Sequence, residues 1–326
     1  MVDIGDLKSP DRTGRAGSSP VLGNPGFSRD FFLHGRKAMS STSVRINNLF
    51  NNKNIAQIAQ GGPFAIFEHQ NDMSVSPGES LFAYFMKEMN VRKRQVFCDL
   101  ENGAVRVQAG AMQWTAGDIQ QESGVKGVGS LLGKLVGGAV TGESAIKPVY
   151  RGTGYIMLEP TYNFLLLENV ASWGSGIVLN DGLFLACEDS VAEKVISRKN
   201  ISSAVLGGEG LFNLCLSGNG YAVLESPVPR EELLEFEISN DVVKIDGNMA
   251  IAWSSSLEFT VEKSGKSLLG SAIGGEGLVN VYRGSGKILM APTLPGTVHK
   301  NSNGPEKTAA TSSQGIGSTI STLFGS

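Results

Sequence analysis

Gly207-Gly208-Glu209-Gly210-Leu211, followed by Ser217-Gly218-Asn219-Gly220 and the apolar run Tyr221-Ala222-Val223-Leu224, is the passage whose recurrence decides the fold. Nearly the same series returns as Gly274-Gly275-Glu276-Gly277-Leu278, Arg283-Gly284-Ser285-Gly286 and Lys287-Ile288-Leu289-Met290. A fainter copy precedes both, as Thr141-Gly142-Glu143-Ser144, Arg151-Gly152-Thr153-Gly154 and Tyr155-Ile156-Met157-Leu158. Pro160, Pro227 and Pro292 close the three copies. Gly152, Gly218 and Gly284 stand 66 residues apart, which sets the length of the repeating unit.

Each unit also opens alike, with an apolar strand after a turn glycine: Gly110-Ala111-Met112-Gln113-Trp114, Gly182-Leu183-Phe184-Leu185-Ala186 and Gly247-Asn248-Met249-Ala250-Ile251-Ala252-Trp253. On this alignment Trp114, Trp253 and Cys187 hold similar places in their units and read as core side chains. A Gly-x-Gly step between two apolar runs predicts a tight β-hairpin, because primed turns need residues that tolerate positive φ. Strands are expected near 95–100, 104–108, 155–159, 176–187, 211–216, 221–225, 234–238, 242–245, 249–253, 257–262, 278–282 and 287–291. Only residues 81–90 and 130–136 read as short helices. One unit cannot hide an apolar face alone. The expected fold is therefore all-β: three pseudo-threefold-related antiparallel repeats around one core, in the manner of a β-sandwich or β-prism.

The chain of 326 residues, with 42 glycines, is long enough to bury a core without disulfides or metals. Residues 1–45, rich in Gly, Pro, Ser and charge, read as a disordered arm, and residues 293–326 as a disordered tail. Between them, residues 46–292 form the expected single all-β domain, with repeats near 95–160, 161–227 and 230–292. Charged residues make up 18% of the chain and the net charge is -3, which argues against a broad basic face for nucleic acid. Three scattered cysteines in largely apolar surroundings indicate a reducing compartment. With no bilayer-length apolar run and no secretory leader pattern, the expected location is cytoplasmic.

The ordered motifs together resemble the altered inheritance of mitochondria protein 24 family, over about residues 62–292. The resemblance implies a β fold similar to the tryptophan RNA-binding attenuation protein superfamily, with paired sheets about a pseudo-threefold axis. Fungal members look like mitochondrial inner-membrane organisers, and bacterial members like cytoplasmic proteins of unassigned role. Residues 88–99, the Gly-rich insert and the continuous stretch 141–149 are similar to the bacterial branch. The long N-terminal arm carries no family motif.

A search for chemistry finds little. Histidine occurs at His34, His69 and His299 only, and His69 has no histidine or cysteine near it in sequence, so it reads as a surface or turn residue. The glycine steps miss the spacing of a nucleophile elbow and of a phosphate loop, and no helix follows them as a dinucleotide fingerprint requires. Glu143, Glu209 and Glu276 would come together under threefold symmetry, but their Gly-rich setting reads as turn structure and not as a metal site. No catalytic, cofactor or metal residue is assigned, and no cofactor is expected.

Three functional readings follow. The leading one is a non-enzymatic cytoplasmic scaffold or binding protein that self-associates as a homo-oligomer, through sheet edges or Gly-rich apolar loops. Its candidate contacts are Gly129, Gly133 and Gly137, at four-residue spacing, with Leu268 and Leu269; a separate protein partner would use the same loops. The second is RNA binding on a ring-like β surface, with the basic run Arg92-Lys93-Arg94 as candidate contact. The third is a membrane-surface organising protein.

Overall fold

Why the chain makes so many strands is visible in the alternation of buried and exposed side chains along it. In β3 (Arg94–Val107), Val96, Cys98, Leu100, Val105 and Val107 are buried, and this inward-facing row packs against Phe64, Ile156, Leu158 and Val223 of its own sheet, which hides it by curling. A computed structural model of the chain describes residues 42–122, 147–197, 212–263 and 278–293. All of them fall within the compact unit Ser40–Ser326.

The fold is mostly β. Chain order runs β1 (Ile55–Gly61), β2 (Phe64–His69), helix α1 (Ser80–Glu88), β3, β4 (Met112–Glu122), β5 (Val149–Leu158), β6 (Phe164–Asn169), β7 (Ile177–Leu179) and β8 (Phe184–Glu188). It continues with β9 (Ala192–Ser197), β10 (Phe212–Ser217), β11 (Tyr221–Ser226), β12 (Leu234–Asp246), β13 (Ala250–Ser254), β14 (Glu258–Lys263) and β15 (Leu278–Met290). They build two curled sheets. The eight-stranded sheet runs β1-β2-β3-β8-β11-β6, with β5 on β3 and β4 on β5. The seven-stranded sheet runs β12-β15-β13-β7-β10-β9, with β14 on β15. A shared core lies between them: Leu166, Phe184 and Leu224 from the first sheet meet Ile177, Leu179, Leu216, Ile251 and Leu289 from the second. Each such side chain contributes about 1.5–3 kcal/mol when fully buried.

The Gly-x-Gly steps do something other than the expected tight hairpin. Gly152 and Gly154 lie inside the unbroken strand β5, and Gly284 and Gly286 inside β15. At Gly218-Asn219-Gly220 the chain leaves β10 in one sheet and enters β11 in the other. A glycine with positive φ serves a mid-strand kink as well as a turn, and here the need is close backbone approach. A Cβ on Gly152 would sit 1.9 Å from the Asp118 carbonyl oxygen, and one on Gly154 would sit 2.1 Å from that of Ala116. Opposite these steps β3 and β12 each carry a bulge, with Asn102 and Asn240 in the left-handed region at φ 50° and 51°. The Asn102 N–H donates to the Thr153 hydroxyl at 3.0 Å, and the Asn240 N–H donates to the Ser285 hydroxyl at 2.8 Å.

Other expectations shift for similar reasons. The two runs at 234–245 form one bulged strand, β12, while 176–187 divides into β7 and β8 at the turn where the Leu183 N–H donates to the Asn180 carbonyl. Strands β1, β2, β6 and β9 lie outside the stretches expected from the sequence. Trp253 is buried and stacks on Phe259 at 5.3 Å, whereas Trp114 is half-buried and lies edge-on to Phe97 at 6.4 Å. The register separates them too: Trp253 faces Ile288 and Cys187 faces Ala222, each four residues past its Gly-x-Gly start, but Trp114 faces Met157, one residue further on. A one-residue slip moves a side chain to the other sheet face. Residues 130–136, most of the arm and almost all of the tail lie outside the described residues.

The close approach at Gly154 yields a direct prediction. Gly154→Ala lowers unfolding free energy by about 2–4 kcal/mol, through a left-handed φ combined with a backbone clash. Gly103→Ala, whose Cβ would meet nothing nearer than 3.8 Å, stays within about 0.5 kcal/mol of the parent. Urea midpoints of the two variants decide this.

Candidate functional site

The connection from β2 to β3 is the one place among the described residues where a helix carries large apolar side chains into solvent. Its foundation is a cross-strand pair. Glu68 on β2 stands directly opposite Arg94 on β3, and opposite charges in register hold such a pair together. The Arg94 side chain is only 2% exposed. Its Nε donates to Glu68 Oε2 at 3.0 Å and its Nη2 lies 2.8 Å from the same oxygen. The guanidinium lies 4.3 Å from the centre of the Phe164 ring, a cation–π contact. Burial pulls the Arg94 pKa down, and Glu68 works against that pull. Arg92 adds a second donor, Nη1 to Glu68 Oε1 at 2.9 Å.

Beyond β2 the chain turns at Asp72, whose carboxylate collects three donors: the Ser74 N–H at 3.1 Å, the Lys93 ammonium at 2.8 Å and the Tyr162 hydroxyl at 2.8 Å. Burial alone would raise the Asp72 pKa, but the Lys93, Tyr162 and Ser74 hydrogen bonds outweigh it and hold the carboxyl below its ordinary value. Burial and the hydrogen bond to Asp72 push the Tyr162 phenol up to about 12.

Helix α1 then starts from a prepared end. The Ser76 N–H and hydroxyl donate to the Glu79 carboxylate at 3.2 and 2.8 Å, with Pro77 leading the short 3-10 turn. Ser76-Pro77-Gly78-Glu79 is a helix-start signature that the sequence displays openly. The helix ends at Asn90, in the left-handed region at φ 61°, where Asn is tolerated. Arg94 Nη2 donates to the Asn90 carbonyl at 3.1 Å, so a cation sits where the helix dipole is negative.

The result is a helix fastened at its base and bare on its outer side. Ala83, Met86 and Lys87 face a shallow open depression of about 260 Å³, shared with His69, Asp72, Arg92, Lys93 and Tyr162. Leu81, Phe82, Tyr84, Phe85 and Met89, together with Met73 in the preceding loop, are between 56% and 79% exposed. No residue of α1 is buried.

Of the candidate residues from the sequence, Arg92, Lys93 and Arg94 do come together, but as intramolecular partners of Glu68 and Asp72. Gly129, Gly133, Gly137, Leu268, Leu269 and the three glutamates Glu143, Glu209 and Glu276 lie outside the described residues. His69 hydrogen-bonds through Nε2 to Gln95 Oε1 at 3.0 Å. Among the described residues no three of His, Cys, Asp or Glu are grouped as a metal site. The three cysteines are buried and free, and desolvation pushes the Cys187 thiol up to about 12. No described helix is long and apolar enough to cross a membrane. The residues missed from the sequence are Glu68, Asp72 and Tyr162, whose partners are 21–90 positions away in the chain.

Because the folded-state pKa of Asp72 is depressed, its contribution to stability is complete above the ordinary value of 3.8 and is lost as pH falls through the lower folded value. Asp72→Asn therefore lowers unfolding free energy by about 1–2 kcal/mol at pH 7. The gap from the parent closes as the pH is taken below 3.8, as urea titrations at the two pH values will show.

Comparison with known proteins gives this chain its relatives. The family model described as "Mitochondrial biogenesis AIM24" matches residues 87–293. A protein of Streptococcus pyogenes serotype M6, itself described as uncharacterized, is 31% identical over 200 residues, covering 59% of this chain and 78% of that protein. A crystal structure of a Streptococcus pyogenes protein aligns at 24% identity with a TM-score of 0.46, over 63% of this chain and 90% of the other. The chain belongs to the AIM24 mitochondrial biogenesis family.

Proposed function

We propose that this protein is a non-enzymatic binding module that works as a self-associating scaffold. The observation that carries the reading is α1, which presents Leu81, Phe82, Tyr84, Phe85 and Met89 to solvent. A row of that kind on a soluble surface marks a contact site. Beneath it, Glu68, Asp72, Lys93, Arg94 and Tyr162 are occupied with one another. Long sheet edges add further contact surface: among the described residues β4 pairs only with β5, and β12 only with β15. Unpaired edges of this length invite strand addition.

We also infer that three copies of one unit build the body. Each ladder has a central strand, β5, β10 with β11, or β15, paired on both sides. One neighbour carries a register slip at a matching place, Met112/Trp114 in the first ladder and Ala250/Ala252 in the third. In the middle ladder the slip falls between Phe184 and Ala186. The Asn-to-hydroxyl bond recurs in the first and third ladders.

The RNA reading needs Arg92, Lys93 and Arg94 to leave their present partners, which for the buried Arg94 means abandoning an ion pair. Removing one member of a buried pair costs about 3–5 kcal/mol. The membrane-surface reading would use the α1 side chains with few free cations around them.

The intact chain at tens of micromolar, examined by light scattering after size exclusion, is expected at a multiple of the chain mass. A strict monomer across that range overturns self-association.

A further inference from the structure

We propose that the outer face of α1 is a two-fold interface with a second copy of this chain, the two helices packing antiparallel. This rests on the self-association reading and names its surface. Taking roughly 200 Å² for a large apolar side chain, the six exposed residues Met73, Leu81, Phe82, Tyr84, Phe85 and Met89 leave on the order of 700–800 Å² of apolar surface at the exposures observed. That exceeds the ~300–600 Å² of the largest patch on a typical monomer. It equals the ~800 Å² that each partner gives to a standard interface.

The occupant follows from the layout of the face. A two-fold interface must be self-complementary. An antiparallel axis at the level of Ala83 sets Leu81 of one copy against Phe85 of the other. At about 100° per residue Phe82 and Tyr84 fall on opposite flanks of that line, so the two Phe82 rings meet on one flank and the two Tyr84 rings on the other. The same axis carries Glu88 to the opposing helix's first turn, where the macrodipole favours an anion. Tyr84 and Phe85 already lie edge-to-face at 5.6 Å, so the ridge is partly ordered before a partner arrives. An anionic lipid surface fits less well: an interfacial helix needs cations on its polar side. Lys87 is the one basic residue of α1, and neighbouring Arg92 and Lys93 are bound to Glu68 and Asp72.

The test uses the full chain in analytical ultracentrifugation. Phe82→Asp with Phe85→Asp is expected to raise the dimer dissociation constant at least tenfold while the circular dichroism spectrum stays that of the parent. Two cysteine variants supply an arm that does not depend on burying a charge. Leu81→Cys and Phe85→Cys, mixed in equal amounts and oxidised with glutathione disulfide, give a disulfide-linked dimer of one copy of each, because the axis sets position 81 of one copy against position 85 of the other. A folded ridge variant that keeps the parent's assembly overturns the interface and leaves self-association standing. Failure of the mixture to cross-link overturns the antiparallel two-fold arrangement. A parent that is monomeric at all concentrations overturns both proposals. Binding of a monomeric parent to phosphatidylglycerol vesicles, lost in the ridge variant, assigns the face to lipid instead.

Discussion

The body of this protein depends on letting backbones pass closer than a side chain allows. The central strand of each ladder gives hydrogen bonds to both sides, and β5 can do so over its whole length only because nothing projects from Gly152 and Gly154 toward the Asp118 and Ala116 carbonyls. The same economy lets the chain pass from β10 to β11, and so from one sheet to the other, without a long loop. The shared core of Leu166, Leu179, Phe184, Leu216 and Leu289 follows from that crossing, since two sheets joined by short steps have their apolar faces held opposite one another.

Much of this was legible in the glycine spacing. Gly152 with Gly154, and Gly284 with Gly286, fall inside β5 and β15, strands paired on both sides. What the spacing did not reveal was the direction of the chain through each step. Positive φ at glycine is common to a reversing turn and to a kink within a strand, and only the neighbouring backbone tells them apart. Nor did the spacing reveal the register of the tryptophans: both strands slip at a matching place, and Trp114 is the first residue past the slip whereas Trp253 is the second, so Trp114 matches Ala252.

The candidate site was less legible, and for a different reason. Apolar residues in α1 were plain in the sequence, but an apolar helix is ordinarily a buried one, and exposure is a property of what packs nearby. Arg92, Lys93 and Arg94 read as one basic run because their acidic partners stand elsewhere in the chain. Asp72 precedes them by a helix, and Tyr162 follows by some seventy positions. The Ser76-Pro77-Gly78-Glu79 signal would have fixed where the helix starts, though not which way its ridge faces.

The charged footing beneath α1 has an evolutionary consequence. Leu81, Phe82, Tyr84 and Phe85 contribute nothing to the sheet interior, while Glu68, Asp72, Lys93 and Arg94 anchor the helix whatever its outer side chains are. Mutation can thus redraw the ridge, altering what it adheres to, without taxing the folding of the scaffold below. The family-matched segment begins at Lys87, past those four residues.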